Sequence, residues 1–160
     1  MPYKQASIIL TITTVVVLIS AALIPSEYYF EQRKNIPTDP VAVFEFLEDY
    51  TENEQWYQDF GLDNVSMLKI INTEAVEPDL VERESEPYKE ISLFYDISND
   101  SQIEFGFLLE PNPDGTILTC YIQRSDLAYP FEKLGSLFIP LVMRNHFQKA
   151  LENIYIDLVE

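Results

Sequence analysis

The residues of this chain best suited to chemistry are acidic. Glu82, Glu84 and Glu86 alternate along one stretch, so a β-strand would set all three on one face. Three carboxylates on one face are the raw material of a cation site or an acid–base pair. Any strand that turns one side to water produces the same alternation, and a solvated face is the stronger reading. Asp96, Asn99 and Asp100 offer oxygens at short spacing, yet they lack the glycine and closing glutamate of a calcium loop and read as a polar hairpin turn. His146 is the single histidine, with no second imidazole or nearby cysteine to complete a zinc site, and reads as a surface group. Cys120, the single cysteine, sits among alternating apolar residues and reads as a small buried hydrophobe, so no internal disulfide forms. Phosphate-loop, HExxH, CxxC and GxSxG patterns do not occur. The sequence therefore points to no catalytic residue, no metal ligand set and no cofactor. Asn64-Val65-Ser66 and Asn99-Asp100-Ser101 are glycosylation triplets that count only in a eukaryotic secretory route.

Charge narrows the partners. All 27 acidic residues of the 160 follow Ser26, against nine Lys and Arg, which leaves that part of the chain at about −18. Such a surface excludes nucleic-acid binding, because phosphate contacts need clustered cations. The amino-terminal stretch is different in kind. Ala6 to Ile24 runs 19 residues without a charge or proline. As a helix it would be about 28 Å long, the thickness of a bilayer's hydrocarbon core. Residues 1–25 are thus expected to be a single-pass membrane anchor and 26–160 one folded domain, placed on the extracytoplasmic side. Positive charges on the two flanks are near balance, with Lys4 before the span and Arg33 and Lys34 after it. The alternative is a signal peptide cleaved near Ala22, after the small residues Ser20 and Ala21, with secretion of the remainder. Ser7, Thr11, Thr14 and Ala21 share one helical face, which allows weak self-association through the span; hydroxyls bonded to their own helix's carbonyls would need no partner.

Elements that could position a site come next. Tyr28 to Ile36 alternates as a first strand, with Tyr28 and Phe30 on one side. Thr38-Asp39-Pro40 marks the start of a short helix carrying Val41, Phe44 and Leu47 and ending near Asp49. A second short helix is expected over Glu52 to Phe60, closed by Gly61, with Trp56 and Tyr57 pinning it to a sheet. Strands follow at hairpin spacing: Val65–Asn72, Leu80–Glu86, Tyr88–Ser98, Gln102–Glu110 and Thr116–Arg124. Their short connections predict an antiparallel meander of about six strands. Pro140 separates a first turn of helix from a long closing helix, in which Met143, Phe147, Ala150, Leu151, Ile154 and Leu158 fall on one face. That stripe needs a sheet to cover it.

Three stretches carry a family resemblance. RKNIPTDPVAVFEFL (Arg33 to Leu47) with Trp56 is similar to the opening strand, capped helix and tryptophan of the START-like, or SRPBCC, superfamily. EPNPDGTILT (Glu110 to Thr119) resembles its late hairpin, and FQKALENIYIDLVE (Phe147 to Glu160) its closing helix. The order of elements resembles in particular bacterial polyketide cyclase/dehydrase-type members with an amino-terminal membrane segment. The resemblance implies an α+β helix-grip fold, in which a curved antiparallel sheet wraps a long carboxy-terminal helix. It also implies a hydrophobic small molecule or lipid as partner, held between sheet and helix. No catalytic residue is shared across that superfamily, so none transfers. The candidate cavity residues are Phe94, Phe105, Phe107, Cys120, Phe138 and Phe147, with Trp56 at the mouth. Two other functions compete: a cyclase- or dehydratase-type enzyme, which needs a polar pair inside the cavity, and a non-catalytic structural or partner-binding domain with a filled core.

Fractionation checks the anchor. The full-length product is expected in the membrane pellet, resistant to carbonate extraction; a soluble product beginning at Leu23 would establish cleavage instead.

Overall fold

The computed structural model describes residues 2–52, 55–62, 79–98 and 101–159. It opens with α1 (Pro2–Leu23), helical through the whole apolar run. Among the described residues this helix alone is long and apolar enough to cross a membrane, a test that a signal sequence would also pass. Thr11 Oγ1 donates to the Ser7 carbonyl at 2.9 Å, and Thr14 Oγ1 to the Leu10 carbonyl at 2.9 Å. These hydroxyls are satisfied within their own helix, without a second copy.

Four residues later β1 (Tyr28–Ile36) begins, over the span its alternation predicts. Asp39 then caps α2 (Pro40–Glu52): its Oδ1 accepts from the amides of Val41 and Ala42 at 3.0 and 3.2 Å. The helix runs one turn past the predicted end at Asp49, and the Thr51 hydroxyl bonds back to the Leu47 carbonyl at 2.7 Å. Helix α3 is described over Gln55–Asp59, inside the expected span Glu52 to Phe60, of which residues 53–54 lie outside the described residues. Gly61 follows it in the left-handed region at φ 70°. A Cβ there would lie 2.6 Å from His146 Nδ1, so the imidazole rests directly on this glycine. The histidine read as a surface group is half-buried and joins α3 to the closing helix.

The sheet is an antiparallel meander of β2 (Asp79–Glu86), β3 (Glu90–Ser98), β4 (Ser101–Asn112) and β5 (Gly115–Arg124), with β1 added beside β5. Five strands are described, in the order β1-β5-β4-β3-β2. The expected strand Val65–Asn72 lies outside the described residues. Tyr28 pairs with Arg124 and Ile36 with Thr116, so β1 returns antiparallel along the full length of β5. The Pro113-Asp114 turn closes tightly because Gly115 carries φ 135°; a Cβ there would meet the Ile36 carbonyl at 2.1 Å. At the other hairpin, Tyr88 takes φ 65° and sets its ring edge-on to Phe44 of α2, centroids 5.4 Å apart.

Helices α4 (Phe131–Ser136) and α5 (Ile139–Val159) complete the chain. The predicted break before the long helix is present, but Pro140 does not make it. Pro140 occupies the first turn of α5, where a missing N–H costs nothing, so the helix starts four residues before Met143. Met143, Phe147, Ala150, Leu151 and Ile154 are buried against the inner face of the sheet, joined by Ile139. Leu158, the last member of the predicted stripe, is only half-buried near the end of the chain. At the solvent edge Lys34 pairs with Glu152 and lies 4.6 Å from the centre of the Tyr155 ring.

Leu151 is 2% exposed, and truncating such a side chain removes transfer energy and leaves a cavity. Leu151→Ala is expected to cost roughly 2–5 kcal/mol. Gln148→Ala, on the exposed face, should cost within about 0.5 kcal/mol. Equal denaturant midpoints for the two variants would be incompatible with this packing.

Candidate functional site

Strand parity decides which side chains meet. Leu93 pairs with Phe105, and Phe105 with Ile122; Phe107 pairs with Cys120. Odd-numbered residues of β3 and β4 and even-numbered residues of β1 and β5 therefore face α5. From this face Phe105 meets Phe147 of α5, and both Phe105 and Phe107 meet Phe60, after α3, and Trp56. Phe60 sits at the centre, with ring centroids 4.9 Å from Phe105, 5.1 Å from Phe147 and 5.8 Å from Phe107. Trp56 lies 5.1 Å from Phe105, and Phe30 lies 5.3 Å from Phe147. Most of these contacts are edge-to-face, the arrangement that ring quadrupoles favour.

Four of the seven candidate cavity residues, Phe105, Phe107, Cys120 and Phe147, are fully buried in this cluster. Trp56 joins them but is 4% exposed. It packs inside the grip rather than at a mouth, because α3 lays it across Tyr95 and Phe105. Phe94 is on the other face: it pairs with Glu82 and Glu104, one residue out of phase with the inward set. Phe138 is also elsewhere, 58% exposed at the corner between α4 and α5. Burial pushes the Cys120 thiol far above its usual range, which leaves it inert as a nucleophile.

Two polar features of the interior were not foreseen. Tyr28, 7% exposed at the first inward position of β1, has a hydroxyl without a hydrogen-bond partner among the described residues. Burial pushes its pKa upward, so it stays a neutral donor. The sequence placed Tyr28 beside Phe30 on one side of the strand; nothing local could reveal that its hydroxyl would go unpaired. The second feature is a buried ion pair at the same end of the sheet. Arg124 Nη2 donates to Glu132 Oε2 at 2.8 Å, and the Ala128 amide donates to the same oxygen at 2.7 Å.

The outer face carries a separate polar cluster. Tyr121 lies flat over Gly106, where a Cβ would come within 2.2 Å of the ring. Its hydroxyl is 2.6 Å from Glu104 Oε1, 2.8 Å from Glu90 Oε1 and 3.0 Å from Ser92 Oγ. Burial first, then the bond to Glu104, raises the Tyr121 pKa, so the phenol remains the proton donor. The cluster ties β3, β4 and β5 together. An open depression of about 490 Å³ beside it is lined by Glu84, Ser85, Glu86, Glu90 and Ser92. Glu82, Glu84 and Glu86 are exposed, the solvated reading of that strand face.

An unpaired buried hydroxyl costs about 1–3 kcal/mol of desolvation. Tyr28→Phe is therefore expected to leave the unliganded protein as stable as before, or more stable by up to about that amount. A lowered melting temperature would mean that the hydroxyl has a partner in solution.

No family model matches the sequence, and no curated protein does. Solved structures do match. A protein of unknown function from Staphylococcus aureus, SA2116, aligns over 82% of this chain and 93% of its own, at 14% identity and a TM-score of 0.54. The di-domain ARO/CYC protein StfQ of the steffimycin biosynthetic pathway aligns over 81% of this chain at 9% identity and a TM-score of 0.52. A second di-domain ARO/CYC protein, BexL of the BE-7585A pathway, aligns over 99% at 10% identity and a TM-score of 0.51. This chain spans about half the length of StfQ, 50%, and 58% of BexL. At these identities the likeness is one of fold. The chain has a helix-grip (START-like) fold, a curved antiparallel sheet closed by a long carboxy-terminal helix.

Proposed function

We propose that this chain is a membrane-anchored START-like domain that binds a hydrophobic small molecule or lipid between its sheet and α5. The observation that carries the reading is the Tyr28 hydroxyl, a buried donor without a partner among the described residues, at the end of a mostly apolar interior where the Arg124–Glu132 pair is already satisfied. A mostly apolar site with one placed polar group is the usual composition of a small-molecule pocket. Tyr28 would donate to a carbonyl, hydroxyl or ester oxygen of the ligand, and the rings of Phe105, Phe107 and Phe147 would cover its apolar body. Entry needs Trp56 and Phe60 to swing off those rings; Trp56 lies within the five-residue helix α3 and Phe60 directly after it. The anchor holds the site beside lipid. The likeness to ARO/CYC domains supports a hydrophobic ligand by analogy of fold.

A second reading has its own observation. Phe60, Phe105, Phe107 and Phe147 already touch ring to ring, as expected of a structural domain with a filled core. A cyclase-type enzyme has less support, since the described interior offers an ion pair and a tyrosine but no free acid–base pair.

Native mass spectrometry of the detergent-extracted protein is expected to show a bound small molecule. Titration with lipids or aromatic polyketides should shift the emission of Trp56, the only tryptophan. Tyr28→Phe should weaken that binding about tenfold, the worth of one hydrogen bond near the top of its usual range. An unliganded spectrum together with an unmoved Trp56 emission across the panel would leave the filled-core reading standing.

A further inference from the structure

The surface around α4 and the start of α5 is unlike the rest of this acidic domain. From Leu127 to Met143 the one acidic residue is Glu132, 5% exposed and paired with Arg124. The same stretch exposes Tyr129, Phe131, Leu137, Phe138 and Leu141, at 52–78% of their surface. Five large apolar side chains within thirteen residues exceed the scattered exposure normal on a soluble surface.

Their position relative to α1 says what covers them. Only Ile24, Pro25, Ser26 and Glu27 separate α1 from β1, so the domain lies within about 18 Å of the end of the span even with this link fully extended. It lies closer than that. The Tyr129 hydroxyl donates to the Leu18 carbonyl at 2.9 Å, and Lys133 Nζ donates to the Ile24 carbonyl at 3.0 Å. Ala21 is fully buried, although α1 is otherwise exposed from Gln5 to Leu23. Leu18 lies five residues inside the end of α1, about 7.5 Å along its axis. Once α1 spans a bilayer, Tyr129 must sit at the depth of its last turns. A tyrosine beside a lysine whose ammonium reaches back toward the helix end is the composition of a membrane interface.

We infer that the segment from Tyr129 to Leu141 is a second membrane contact, seated in the headgroup zone of the same bilayer leaflet from which α1 emerges. Anchoring by α1 is the part of the proposed function on which this rests. The occupant is lipid: the patch continues the exposed apolar surface of α1, and between Leu127 and Met143 the single carboxylate, Glu132, is buried in its pair with Arg124. The seat presses the end of the sheet bearing Tyr28 and the Arg124–Glu132 pair toward the bilayer, and the Pro113-Asp114 turn away from it. The β1–β5 pairing from Tyr28–Arg124 to Ile36–Thr116 separates those two ends by about 26 Å.

Single cysteines in the full-length protein test the seat, each labelled with an environment-sensitive fluorophore after reconstitution into phosphatidylcholine–phosphatidylglycerol vesicles. Native Cys120 is fully buried and stays unlabelled. Phe138→Cys and Leu141→Cys replace exposed side chains, so folding is not at risk; Val16→Cys reports the span and Asp114→Cys the far turn. Lipids carrying a quencher near the headgroup end of the acyl chain should remove most of the emission at 138 and 141 and leave 114 unchanged. A deep quencher should act on 16. Quenching at 16 with none at 138 or 141 overturns the second contact and leaves the anchor standing. No quenching at 16 overturns the anchor and this inference together. Equal quenching at 114 and 138 means adsorption of the whole domain and also overturns the oriented seat.

Discussion

Everything in this structure depends on one apolar contact, the packing of the α5 stripe against the inner face of the sheet. Phe147 is its centre, with Phe30, Phe60 and Phe105 all within 5.6 Å of its ring centre. Neither partner is stable alone. An amphipathic helix of this length gains most of its stability from tertiary burial, and an antiparallel sheet with one apolar face must cover it. The register of β1, β4 and β5 follows from the same contact, since a slip of one residue would turn Phe105, Phe107 and Cys120 out to water.

The two faces of the sheet are built by different chemistry. Inside, side chains meet through rings, and the buried ion pair of Arg124 with Glu132 is held by an added backbone donor from Ala128. A buried pair without such support would not recover its desolvation. Outside, Tyr121 fills the space that Gly106 leaves and binds the side chains of Glu104, Glu90 and Ser92. Three strands are thereby tied on the face that α5 does not reach. This arrangement keeps the acids of β2 to β4 on the face away from α5, while from Leu127 to Met143 the one carboxylate, Glu132, is buried.

The same distribution links fold to function. Under the proposed function, a ligand space and a membrane anchor would serve one another only if the space opened near the bilayer, and the end of the sheet carrying Tyr28 follows α1 after four residues. The aromatic filling sets a cost for any ligand: it must replace ring contacts worth about 0.5–1.5 kcal/mol each.

Much of this was legible in the residues themselves. Alternation located β1 and the meander, Asp39-Pro40 located the start of α2, Gly61 and Gly115 marked two turns, and steps of three and four gave the buried stripe of α5. These signals are local, because helix and strand periods are written within a few residues. What tertiary structure decided was everything that depends on phase and depth. Phe94 and Phe105 both sit in alternating strands of similar composition, and only the Leu93–Phe105 register puts the first outside and the second inside. Trp56 could have been rim or core until α3 was laid across Tyr95 and Phe105. Phe138 is apolar and close to the stripe in sequence, yet the corner before α5 turns it to the surface. The unpaired hydroxyl of Tyr28 was invisible for the same reason: a hydrogen bond that is not made is a property of the whole neighbourhood, and no single stretch of sequence contains it.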